Sequence, residues 1–178
     1  MLPVSPDHPL RRLFAALVED AFCSQVGMCD PKLTDYLADL LVNFTHVERL
    51  DVLRNVHGQP LDAIAARLAM LDDDEATDAT GRERALYRHI GDYALFWAGV
   101  YPEQLKRHRL RDDDVLLDYV KQGRRSYAIA SELTADGARP PARLFLHLSE
   151  DFESCLHGLG LVRRELEHTQ QSGGELVY

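Results

Sequence analysis

Apolar residues recur at three- and four-residue intervals along almost the whole chain, and no convincing stretch alternates apolar with polar. That periodicity is the strongest constraint on the fold. It matches the 3.6-residue turn of an α-helix and gives no purchase to a half-buried strand, whose period is two. A chain of 178 residues is long enough to bury one substantial core. The expected architecture is therefore all-α: a single-domain bundle of about six amphipathic helices, mostly antiparallel. Residues 1–8 read as an N-terminal extension, 9–168 as the bundle and 169–178 as a flexible tail.

Local chemistry divides the pattern. A first helix over 10–26 has Leu10, Leu13, Phe14, Leu17, Val18 and Ala21 as its stripe and stops at Gly27. Asp30 caps a second helix with Pro31 at its first position, where a missing N–H is harmless. Past Val47 the same stripe points Glu48 and Asp51 inward, which predicts that this helix leaves the core there. Pro60 opens a short third helix to about Leu71. The acidic run 72–81 follows as a solvated loop. A fourth helix ends before Pro102, because a residue preceding proline resists the helical conformation. A fifth begins at the acidic triplet 112–114, which complements the helix dipole, and runs to about Thr134. The segment 135–141 is a turn, and a sixth helix continues to about His168.

Charge narrows the partners. The net charge is −9, which repels phosphate backbones and anionic membrane surfaces, so neither nucleic acid nor membrane is expected as a partner. No apolar run approaches the roughly 20 residues of a spanning helix. The N-terminal stretch lacks the basic start and apolar run of a secretion signal. Cys23, Cys29 and Cys155 lack zinc or redox spacing and read as reduced thiols of a cytoplasmic protein, with a Cys23–Cys29 disulfide as the lesser alternative.

Helical phase then ranks the polar residues. Glu150, Glu153 and His157 form a tempting metal-like cluster, with Glu153 and His157 four apart. They point about 160° away from the apolar arc of their helix, at about 100° per residue. A solvated face is the expectation. One Glu-x-x-His spacing, Glu165 to His168, falls short of the two that a carboxylate-bridged di-iron bundle needs. No metal site, no cofactor motif and no catalytic set is expected. In the fifth helix Leu116, Tyr119, Val120, Gly123, Tyr127, Ala130 and Ser131 share a face. Gly123 there calls for a close helix approach or space beside a tyrosine.

The stretch 88–105 stands out. Leu86, Ile90, Tyr93, Trp97 and Val100 lie on one line of a helix that is apolar most of the way round, which marks it as central. His89 flanks the line and Asp92 sits one turn on, at its outer border. Two functions are compatible with this. The first is a non-enzymatic helical interaction module with a protein partner or a second copy of itself. The alternative is a bundle with a small ligand or cofactor between the fourth and fifth helices, lined by His89, Asp92, Tyr93, Trp97, Tyr119 and Tyr127.

Overall fold

The computed structural model describes residues 8–45, 78–106, 112–133 and 139–174. The short third helix, Glu48, Asp51 and most of the acidic run lie outside the described residues. Seven α-helices and no strand are found among the described residues: α1 Pro9–Asp20, α2 Pro31–Thr45, α3 Ala79–Val100, α4 Pro102–Lys106, α5 Asp112–Glu132, α6 Ala142–Glu150 and α7 Phe152–Gly174. They pack against one another as an all-α bundle.

The helix ends follow local chemistry. Asp30 Oδ1 accepts the Lys32 N–H at 2.9 Å, one of the donors that a helix start leaves unpaired. Asp78 does the same for Gly81 at 2.9 Å, so α3 begins at Ala79, inside the run expected to be loop. At the other end, α3 stops at Val100, before Pro102.

Four expectations change. The first helix does not run uniformly to Val26. It widens into a π-helical turn over Ala21–Val26, closed by Gly27 in the left-handed region at φ 81°. Cys23 and Cys29 are not reduced thiols, because that turn and its reversal bring their Cα atoms to 4.5 Å and a disulfide joins them. The sixth helix is two helices: Asp151 leaves the helical conformation at φ −103°, ψ 26°, and its carbonyl accepts the Cys155 N–H at the start of α7. Part of the expected tail is also helical, since α7 continues to Gly174.

Helix α3 is central, as its nearly all-round apolar surface predicts. Its residues from 88 to 96 are all buried. It packs most extensively against α5 and also against α7, α4 and α2. The α3–α5 pair is antiparallel: Gly91 lies by Tyr127, and Ala94 lies by Gly123. Gly123 is explained by close approach, since a Cβ there would sit 2.5 Å from the Phe152 ring and 2.9 Å from Ala94 Cβ. Helices α1 and α2 form an antiparallel hairpin clasped by Arg11, which donates to Asp39 at 2.5 Å and Asp35 at 3.1 Å.

Two buried or half-buried arginines fasten helix C-termini to neighbours. Arg84 Nε donates to the Ala130 carbonyl in the last turn of α5 at 3.2 Å, and its Nη2 donates to the Pro140 carbonyl. Arg163 Nη1 donates to the Val100 carbonyl at the end of α3 at 2.7 Å and to both Glu103 oxygens. Each satisfies a carbonyl that the helix itself leaves open and places a cation at the negative end of the dipole.

Candidate functional site

Arg84, Arg88 and Asp92 recur every four residues on α3, so they share one face. All three are buried. A carboxylate placed this deep needs donors, and they come from other helices. Asp92 Oδ1 accepts the Tyr36 hydroxyl of α2 at 2.6 Å and the Tyr127 hydroxyl of α5 at 2.7 Å. Asp92 is 4% exposed, so the expectation that it sits at the outer border of the buried arc is corrected. Phase measures direction from one helix axis; α2 and α5 enclose the residue from the side that phase alone leaves open.

Tyr127 reaches Asp92 because its ring lies across Gly91, where a Cβ would come within 2.6 Å of it. Phe145 of α6 stacks on Tyr127, centroids 5.8 Å apart and planes 12° from parallel, and meets Tyr36 edge-on at 6.0 Å. The Arg84 guanidinium covers Phe145, 4.8 Å from its centroid. Four helices thus converge on one carboxylate. His89 is buried beside this network, with Nε2 3.4 Å from Arg88 Nη2.

Electrostatics hold both tyrosine hydroxyls protonated. Burial pushes the Tyr36 and Tyr127 hydroxyls well above the ordinary tyrosine range, and the Asp92 charge pushes them further in the same direction. Both therefore remain donors through neutral and mildly alkaline pH. The folded state holds these protons where the unfolded chain has lost them, so stability is full below about pH 10 and falls above it. We expect alkaline melts to lose stability from about pH 10 upward, and the loss to shrink in Tyr36→Phe and Tyr127→Phe. Thermal melts between pH 8 and 11 check this. The same arrangement limits the chemistry of Asp92: two donors occupy Oδ1, which has two lone pairs.

The other candidate residues lie in a second, contiguous cluster. Tyr93, buried, is 6.2 Å from Trp97 and 6.1 Å from Tyr119 of α5. Phe96 stacks on Phe44 of α2 at 4.4 Å and meets Trp97 edge-on at 5.7 Å. Tyr101 lies 5.8 Å from both Phe96 and Trp97. The rings run from fully enclosed Phe44 to half-buried Trp97 and Tyr119 and to exposed Tyr101. Arg163 stacks on Tyr101 at 4.9 Å. Trp97 Nε1 is enclosed and has no hydrogen-bond partner among the described residues.

The six residues proposed from the sequence thus fall into two groups: Asp92 and Tyr127, with His89 beside them, and Tyr93, Trp97 and Tyr119. Sequence reasoning missed Tyr36, Arg84, Arg88 and Phe145. The four-residue recurrence of Arg84, Arg88 and Asp92 was a usable signal; nothing local marked Tyr36 as more than core.

The rival acidic cluster does face solvent. Glu150, Glu153 and His157 are exposed, as are Glu165 and His168. His147 is different: its ring nitrogens lie 3.4 Å from Asp30 Oδ2 and 3.3 Å from Asp151 Oδ2. Among the described residues no group of three or more His, Cys, Asp or Glu is placed to hold a metal ion. None of their helices is long and apolar enough to cross a membrane. No protein family, curated protein or solved structure matches the chain.

Proposed function

We propose that the chain is a non-enzymatic helical module that binds another protein through the aromatic surface formed by Trp97, Tyr101 and Tyr119. One observation carries this reading: a continuous ladder of rings runs from the core to the surface at the junction of α3, α4 and α5. Tryptophan, tyrosine and arginine are the residues that most often dominate binding energy at protein interfaces. Here the inner rungs of the ladder hold the outer rings in place, so little rotamer freedom is left to lose on binding. The buried network at Asp92 supports the same reading, because its hydroxyls and Oδ1 are engaged in joining helices. A cytoplasmic location belongs to this proposal, as does the exclusion of nucleic acid by the net charge of −9.

The test is affinity capture with the wild-type chain and a Trp97→Ala/Tyr101→Ala variant whose fold is verified by circular dichroism. We expect a defined protein, or a second copy of the chain, to be retained at least tenfold more strongly by wild type. Adding it back should shift the emission of Trp97, the single tryptophan. Equal retention by both chains would refute the reading.

A second reading rests on the enclosed Trp97 Nε1, which has no hydrogen-bond partner among the described residues. A small aromatic ligand with a hydrogen-bond acceptor, lodged against Tyr93, Trp97 and Tyr119 between α3 and α5, would use that donor. A ligand mass in native mass spectrometry, with no protein captured, would favour it.

A further inference from the structure

The π-helical turn at Ala21–Val26 ends in a closely tied reversal. The Gly27 N–H and the Met28 N–H both donate to the Phe22 carbonyl, the latter at 2.9 Å. Gly27 takes the left-handed conformation that glycine adopts without penalty. The chain then doubles back, and Cys29 bonds to Cys23, six residues earlier. Cys29 is exposed and Cys23 half-buried. Phe22, between them and the core, is fully buried where a Gly158 Cβ would otherwise be.

The next residue joins this bridge to the bundle. Asp30 caps α2 through Oδ1, while its Oδ2 lies beside His147 of α6. Holding Cys29 therefore holds the residue that starts α2 and meets α6. The bridge itself closes a surface loop, and no core side chain needs to move for a reagent to reach Cys29.

We propose that the Cys23–Cys29 pair is a reversible thiol–disulfide exchange site that sets the order of the α2 N-terminus. The co-reactant is a dithiol, small or carried by a protein. One of its thiolates attacks Sγ of the exposed residue Cys29, the Cys23–Cys29 bond breaks, and Cys23 leaves as a thiolate that takes up a proton. The second thiol of the reductant then displaces Cys29 from the mixed disulfide. The net step reduces the protein bridge to two thiols and oxidises the dithiol to a disulfide, with two electrons and two protons transferred. Accessible bridges of this kind are the labile and regulatory ones, whereas enclosed ones resist reductants. Cys155 stays out of the exchange: it is fully buried, and burial pushes its thiol up to about 12, so the nucleophilic thiolate is scarce.

The experiment uses the full oxidised chain in buffer without denaturant, treated with dithiothreitol and trapped with a maleimide for mass spectrometry. Two labels, on Cys23 and Cys29, and none on Cys155 are expected, and oxidised glutathione should restore the bridge. Hydrogen exchange at amides 28–34 should quicken at least tenfold on reduction, while amides 88–98 remain unchanged. Cys29→Ser should reproduce the reduced pattern. Labelling that requires denaturant would overturn the proposal. So would unchanged exchange at 28–34, or acceleration that spreads equally to 88–98, which would identify the bridge as a staple of the whole fold.

Discussion

Replacing Asp92 by alanine is expected to lower unfolding stability by about 2–6 kcal/mol, since two buried hydroxyls lose their acceptor at about 1–3 kcal/mol each. The cost arises from what remains. Tyr36 and Tyr127 would keep two enclosed hydroxyls with no acceptor at Oδ1. Each tyrosine change to phenylalanine removes one donor and leaves the carboxylate the other, so each should cost about 1.5–3 kcal/mol. Asp92→Asn keeps an acceptor of the same shape and should fall below alanine in cost. A domain stability of about 5–15 kcal/mol makes the alanine change severe. Urea denaturation of the four variants checks the order. A loss under about 1 kcal/mol for Asp92→Ala would show that the network contributes little.

Phe145→Ala is expected to be comparably damaging, at about 3–5 kcal/mol for emptying a large buried site. The ring is fully enclosed and contacts three partners with defined geometry: Tyr127 face to face, Tyr36 edge-on and Arg84 above. Phe145→Leu refills most of the volume but not the ring contacts, so the loss that remains in Phe145→Leu relative to wild type reports the aromatic part, about 0.5–1.5 kcal/mol per ring pair. A double-mutant cycle with Arg84→Met measures the cation–ring coupling, expected near 0.5–2 kcal/mol. A cycle energy of zero would mean that Arg84 acts only through its bonds to the Ala130 and Pro140 carbonyls.

Much of this was legible wherever one short segment contains its own reason. Asp30 with Pro31 writes a helix start, and Pro102 writes the end of α3. The small-residue face of α5 left two explanations for Gly123, a close approach or space beside a tyrosine, and the close approach is the one found. Features that depend on distant segments were not legible. Tyr36 meets Asp92 from 56 positions away, and helical phase cannot see a partner on another helix. Arg84 and Arg88 are buried although arginine usually is not, and the carbonyls that Arg84 bonds lie on other segments. The break at Asp151 has no proline or glycine to mark it. The Cys23–Cys29 pairing required a wide turn and a reversal that composition does not encode.

The carboxylate at Asp92 also behaves as a conjunction. Helix α3 presents it, and α2 and α5 each bring one hydroxyl, with α6 closing over both through Phe145. A bundle missing α2, α3 or α5 leaves a polar group in the core without its counterpart, a state penalised from within. Half-assembled arrangements are thereby discouraged, and the order in which the helices arrive matters less than that all have arrived. A single residue near the middle of the longest-buried helix acts as an inspector of completeness for the whole assembly.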